Sequence, residues 1–487
     1  MTQFFNRYTQ FPGQFYTRIT PTALHQPELI HANANLLAQL NLSLTEAELL
    51  NTVSGNELPQ GCDPIAQKYT GHQFGYYNPD LGDGRGLLIG QTLDANQQQW
   101  DLHLKGAGQT PYSRRGDGRA VLRSTIREYL GSEALHALGI ATTRSLAICR
   151  NNEQVQRETY EPRAGYIRVA KTHVRFGHFE WLAQQQDMVS LKLLADYVIE
   201  TVYPELMNLT PEDKYGELLA TICAKTAEMI ADWQAIGFCH GVMNSDNMSV
   251  AGETFDFGPY AFLDDFKIHY VCNHSDTEGR YAYSQQPNIG LWNCQLLAAA
   301  FSNLITEQQL DNAINGYVET YNHCYLEKMR KKIGLLEALK DDRDLVADML
   351  ILMDQSDLDF QHFFLNLAKI QNSSNTQEAL RACLNSEMVP DSKAWRIWLE
   401  RYFTRRQLEL NPTQCSIIIE QHTPKFILRN YINQQVIEAA HRGDYSLFAK
   451  VFEALQTPYE IHAGLPTSFY EAPQHPAQKS IALSCSS

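Results

Sequence analysis

The chain has 487 residues, 44% of them hydrophobic, and 55 acidic against 40 basic side chains give it a formal net charge of -15. At about 100–200 residues per unit, that length supports several structural units with a large buried core. The acidic balance argues against a general nucleic-acid binder, which presents a basic face. The first residues, MTQFFNRYTQFPGQFYTRIT, hold no uninterrupted apolar run, and no segment approaches the roughly 18 apolar residues of a membrane span. A cytoplasmic protein with neither membrane nor nucleic-acid partner is therefore expected. Ten cysteines occur without a Cys-x-x-Cys pair, which points to reduced, mostly buried thiols.

No internal repeat or obvious linker interrupts the chain. Residues 83 to 180 mix short alternating runs with one strong helix, and residues 190 to 460 read as mainly helical. This order predicts an α+β, protein-kinase-like two-lobed fold with a mainly helical C-terminal portion. Residues 1–180 form an N-terminal extension and nucleotide-binding lobe, and residues 181–487 a helical lobe with the catalytic loop, the metal ligands and a C-terminal extension.

In LGDGRGLLIGQT, Gly82, Gly84 and Gly86 alternate ahead of an apolar run. Glycines let backbone N–H groups approach phosphate oxygens, and Arg85 adds a positive charge there. An ordinary tight turn would look the same in isolation. In QWDLHLKGAG, Trp100, Leu102 and Leu104 alternate with Asp101, His103 and Lys105, the period of a half-buried strand. Lys105 leaves it on the polar side, in the place of the kinase lysine that neutralises nucleotide phosphates.

The connector GAGQTPYSRRGDGRA sets Asp117 and Gly118 among Arg114, Arg115 and Arg119, a second polar lining that ordinary kinases lack. The next helix carries Ile126, Leu130, Ala134 and Leu138 at spacing four, with Gly139 as its cap. It offers Glu128 and Glu133 as partners for Lys105; Glu128 is preferred because it lies nearer the helix start, leaving Glu133 as a solvated residue. In GYIRVAKTHVRFGHFE, Arg168 falls in a short strand and Arg175 follows seven residues later. Their planar, permanently charged guanidiniums suit phosphate forks.

The helix YGELLATICAKTAEMIADWQAIGF buries Leu219, Ile222, Met229, Ile230 and Trp233 and ends at Gly237. It leads into HGVMNSDNMSVAGETFDFGPY, where the kinase order His-Arg-Asp, Asn, Asp-Phe-Gly is kept except at its base. Val242 stands where the catalytic Asp belongs, while Asn247 and Asp256-Phe257-Gly258 remain. An amide oxygen and a carboxylate are hard ligands suited to Mg²⁺. Asp246, beside Asn247, is the candidate replacement base.

These motifs resemble the SelO (YdiU) family of kinase-fold protein adenylyltransferases. The resemblance runs from YTGHQFGYYNPDLGDGRG and LHLKGAGQTPYSRRGDGRAVLRSTIREYL to HGVMNSDNMSVAGETFDFGPYAFLD and KFILRNYINQQVIEAA. It implies that ATP is bound flipped relative to kinases, so that AMP passes to a Ser, Thr or Tyr hydroxyl of a protein and pyrophosphate leaves. It implies further that Gly82, Gly84, Arg85, Lys105, Asp117, Gly118, Arg168 and Arg175 hold ATP. Glu128 pairs with Lys105, Asp246 acts as base, and Asn247 and Asp256 hold Mg²⁺ or Mn²⁺. Animal members carry selenocysteine third from the end, where this chain has Cys485, which implies a redox role with Cys272 as the chosen partner; Cys272 could equally be a core residue. Three rivals stay open: a conventional kinase, a non-catalytic ATP-binding scaffold, and UMP transfer from UTP with Mn²⁺.

Overall fold

The computed structural model describes residues 4–370, 393–479 and 481. It is a mixed α/β structure with a large antiparallel sheet followed by many helices. The strands are β1 (Tyr16–Arg18), β2 (Glu28–Ala32), β3 (Ile65–Gln73), β4 (Tyr76–Gly82), β5 (Gly86–Leu93), β6 (Gln99–Lys105), β7 (Ala120–Val121), β8 (Arg144–Gln156) and β9 (Tyr160–Ala170). Their order is β1-β3-β5-β6-β9-β8-β2, with β4 added to β3 and β7 to β9. The sheet thus begins well before residue 83, where the sequence pattern placed its start. Arg168 lies in a strand of 11 residues rather than a short one.

Two helices precede the central part of the sheet, α1 (Ala34–Gln39) and α2 (Glu46–Ser54), and α3 (Leu122–Ala137) follows β7. Leu49 and Val53 of α2 cover one face of the sheet with Leu87, Leu102, Leu104 and Ile167. Ile126 and Leu130 of α3 belong to the core on the other face, with Leu88, Ile148 and Tyr166. Gly139, at φ 76°, stops α3 by donating its N–H to the His136 carbonyl.

This double cover corrects the reading of β6 as half-solvated, since all seven of its residues are buried. Its polar residues face a buried polar layer. Asp101 accepts from Gln91 Nε2 at 2.7 Å and from the His173 N–H at 2.8 Å, and Lys105 pairs with Glu128. Alternation reports a change of chemistry from face to face, and here the polar face is turned to a site rather than to water.

The helical portion contains α4 (Phe176–Gln184), α5 (Met188–Val202), α6 (Pro211–Ile236), α7 (Gln286–Phe301), α8 (Glu307–Lys332), α9 (Asp342–Gln355) and α10 (Phe360–Lys369), then helices at Lys393–Arg406, Cys415–His422, Asn430–His441 and Ser446–Gln456. Thr210 caps α6 by accepting from the Asp213 N–H, Pro211 opens it, and Gly237 closes it at φ 77°. Directly after it, β10 (Phe238–Cys239) pairs antiparallel with β11 (Ala261–Phe262). That short ribbon pins both ends of the loop that carries Val242, Asp246, Asn247 and Asp256. Among the described residues no helix is long and apolar enough to cross a membrane.

Candidate active site

Between the sheet and the loop pinned by β10 and β11 lies a cavity of about 570 Å³. Eight cations line it: Arg85, Lys105, Arg114, Arg115, Arg119, Arg157, Arg168 and Arg175. Only Asp83, Asp117, Asp246 and Asp256 oppose them. In a chain with net charge -15 this is a local reversal of sign, and a cleft of one sign concentrates ligands of the other.

The deepest part is a chain of charges running from the sheet to the loop. Lys105, at the end of β6, pairs with Glu128 of α3. Arg168 of β9 reaches Glu128 Oε1 at 3.3 Å and Asp256 Oδ1 at 2.5 Å with the same nitrogen. Arg175, the residue before α4, binds the other oxygen of Asp256 and the Asp246 carbonyl, the latter at 2.9 Å. Both guanidiniums lie over the Phe255 ring, at 4.1 and 4.5 Å from its centre. Burial alone would raise the Asp256 carboxyl, but Arg175, Arg168 and Lys105 together hold it well below the usual range. Burial lowers Lys105, and Glu128 draws it part of the way back.

On the loop, Val242 is buried and brings no carboxylate. Asp246 is 6% exposed; Gln73 Nε2 donates to its Oδ2 at 3.0 Å, and its Oδ1 is buried with no hydrogen-bond partner. Burial pushes Asp246 up to about 7, with Arg175 and the Gln73 hydrogen bond acting against the shift. Asn247 donates from Nδ2 to the Val242 carbonyl at 3.1 Å, which leaves its Oδ1 as the atom available to a ligand.

Gly82 and Gly84 lie at the turn from β4 to β5, where Arg85 is exposed at the cavity mouth. Gly118 has φ 71°, and a Cβ there would stand 2.1 Å from the Gly108 backbone, so the connector folds on itself only with glycine. Beside it, Asp117 is gripped by Arg157, with Nη1–Oδ2 at 2.8 Å and Nη2–Oδ1 at 2.9 Å, and it also accepts from the Arg119 N–H at 2.9 Å. The structure therefore gathers the candidate nucleotide and loop residues around one cavity, except Glu128, which is buried behind Lys105.

Some residues depart from the sequence reading. Glu133 is fully buried, not solvated: it accepts from Arg144 Nε at 2.8 Å, from the Ser145 N–H at 2.9 Å and from Asn33 Nδ2 at 3.0 Å. Cys272 is 6% exposed in a core with Cys239, Phe266 and Tyr283, its thiol donates to the Cys239 carbonyl, and burial pushes it well above the usual thiol range. Cys485 lies outside the described residues. The sequence reading missed Asp83, which is buried, accepts from the Gln67 N–H at 3.0 Å and stands 3.5 Å from His103 Nε2. It also missed Arg157 and Gln73. Asp83 carried a signal, as the acidic residue inside the Gly-rich run; Arg157 and Gln73 had none.

The residues present fit a divalent cation. Asn247 and Asp256, which line the cavity, offer hard oxygen donors, and Asp246, which also lines it, has its Oδ1 without a partner. Among the described residues no cluster of three His, Cys, Asp or Glu could hold a metal unaided.

Lys105, Arg168 and Arg175, buried with carboxylates beside them, suit a dense anion. The class this cavity defines is a protein that binds a dense anion such as a polyphosphate. Comparison narrows it. The family model for protein adenylyltransferase SelO matches residues 1–456. The chain is 51% identical over 486 residues to protein nucleotidyltransferase YdiU of Hydrogenovibrio crunogenus, covering 99% of each chain. Proteins of the same name from Photobacterium profundum and Vibrio atlanticus are 41% and 45% identical, over 99% of this chain and 98% of theirs. The chain belongs to the SelO family and is a nucleotidyltransferase.

Proposed function

We propose that this enzyme transfers AMP from ATP to Ser, Thr or Tyr hydroxyls of other proteins and releases pyrophosphate. It does so on a kinase-like two-lobed fold in which residues 1–180 hold the nucleotide and residues 181–487 supply the loop. The observation that carries the reading is the pairing of Val242 with Asp246. The position of the kinase base is apolar, while four residues on a buried carboxylate faces the same cavity with one oxygen free.

In this reading Lys105, Arg168 and Arg175 hold the phosphates, with Arg85 and the Gly82–Gly84 turn above them and Asp117 and Gly118 at the far lining. Asp246 takes the proton from the acceptor hydroxyl. The hydroxyl oxygen bonds to the α-phosphorus as the bond to the bridging oxygen breaks, and the electron pair leaves on pyrophosphate. Mg²⁺ or Mn²⁺, held by Asn247 and Asp256, would neutralise charge on the leaving group. Burial raises the Asp246 carboxyl, which makes it a stronger base and supports that role.

The test is intact-mass analysis of the enzyme and of lysate proteins after incubation with ATP or UTP and Mg²⁺ or Mn²⁺. The expected result is an AMP adduct that is lost in Asp246→Asn. UMP adducts alone would replace ATP by UTP in the reading, and nucleotide binding with no adduct would leave a scaffold.

A further inference from the structure

We infer that Gln73, on the hairpin of β3 and β4, is a positioning residue that holds Asp246 so that Oδ1 receives the proton of the acceptor hydroxyl. The inference rests on Asp246 being the base, as proposed above. It adds the atom that works and the device that selects it.

The device is a one-way relay of amides. The backbone N–H of Asp80, which can only donate, is 3.0 Å from Asn78 Oδ1. That contact makes the other end of the Asn78 amide the donor, and Nδ2 lies 3.2 Å from Gln73 Oε1. With its oxygen committed, Gln73 presents Nε2 to Asp246 Oδ2 at 3.0 Å. An oxygen facing an N–H donor is held as an acceptor. The other oxygen of Asp246, Oδ1, accepts no hydrogen bond, which leaves it the less committed of the two for the acceptor's proton.

The hairpin is shaped to deliver that contact. Gln73 pairs with Tyr76 across a two-residue turn, Phe74 and Gly75, at φ 50° and 89°. Positive φ at both turn residues is the type I′ pattern, and a bulky Phe is an uncommon occupant. The turn is held from the catalytic loop side: the Phe74 N–H lies 2.9 Å from the Tyr281 hydroxyl and 3.3 Å from Asn244 Oδ1, and the His72 N–H donates to Ser245 Oγ at 2.7 Å. Gly71 allows the approach, since a Cβ there would sit 2.9 Å from Asp246 Cβ. Strained backbone kept by surrounding contacts is a mark of functional segments.

The test is a double-mutant cycle on the full chain. Gln73→Leu removes the donor, Gln73→Met keeps the length without the donor or a charge, and each is also built with Asp246→Asn. Turnover, ATP affinity and thermal midpoint are read for all. The expected result is a loss of about 10–100-fold in kcat for both Gln73 variants, the scale seen for outer-shell partners. ATP affinity stays unchanged, and no further loss appears in the Asp246→Asn background. Wild-type kcat in Gln73→Met, or equal losses in both backgrounds, would overturn the inference while leaving Asp246 as the base. Full activity in Asp246→Asn would overturn the base and this inference together.

Discussion

Arg168 Nη1 stands 2.5 Å from Asp256 Oδ1, so a cation assigned to phosphate and a carboxylate assigned to a metal hold each other. Under the proposed function, a triphosphate and a divalent ion would bring the matching charges, so the pair could exchange partners without leaving a bare buried charge. Arg175 repeats the arrangement on the other oxygen. The account therefore predicts that either arginine changed to Ala weakens ATP by about 10–100-fold, the equivalent of roughly 1.5–3 kcal/mol for hydrogen bonds to a charged group. AMP, which lacks the distal phosphates, should weaken much less. Lys should restore part of the loss, because it lacks the planar fork. Titration calorimetry with both nucleotides decides; equal losses would move the arginines off the distal phosphates.

The two loop carboxylates should separate binding from turnover. Asp246→Asn is expected to keep ATP binding and lose ~10²–10⁴-fold in transfer rate, the usual contribution of a general base. Asp256→Ala removes the counter-charge of Arg168 and Arg175 as well as a metal ligand, so metal-dependent nucleotide binding and transfer should fall together. Equilibrium binding beside a transfer assay checks both, and a fully active Asp246→Asn would place the base elsewhere.

Glu133 predicts a purely structural effect. Its change to Ala leaves Arg144 buried at 5% exposure without its carboxylate, and breaking one side of a buried pair costs about 3–5 kcal/mol. Thermal or denaturant unfolding should show that loss, while ATP affinity of the folded fraction stays unchanged. An ATP defect without a stability loss would give Glu133, rather than Glu128, the role beside Lys105.

Glu253 sets part of the pH dependence of stability. Burial, opposed by Lys171, pushes its carboxyl from 4.5 up to about 7. Between those values the unfolded chain has released a proton that the folded chain keeps, so stability falls as pH rises from about 4.5 to 7 and then levels. The full effect is on the order of 3 kcal/mol. Glu253→Gln should flatten that slope, leaving the parts due to Asp101 and Asp246, which burial also pushes up to about 7. Denaturant midpoints across this range test it; an unchanged slope in the variant would contradict the assignment.

The cavity was more legible in the sequence than the sheet. Lys105, Glu128, Arg168, Arg175, Asn247 and Asp256 were readable because their chemistry demands fixed residue types in a fixed order along the chain. Among the first four strands, β1 and β2, of three and five residues, are too short to show a period, and β3 was not legible because it is largely buried on both faces and loses the alternation that marks a strand. The same cover misled the reading of β6. Glu133 was misread because spacing along α3 separates its faces but does not say that Arg144, across a loop, turns one of them into a buried ion pair. Gln73 and Arg157 act through partners 173 and 40 residues away, and contacts of that range leave no local pattern.

Transfer of radiolabel from ATP tests the central claim most directly, with label in the α- or the γ-phosphate and a protein acceptor present. The account predicts that protein-bound radioactivity appears from α-labelled ATP, is absent from γ-labelled ATP, and is lost in Asp246→Asn. Label entering protein from the γ-phosphate, with none from the α-phosphate, would contradict it and make the enzyme a kinase.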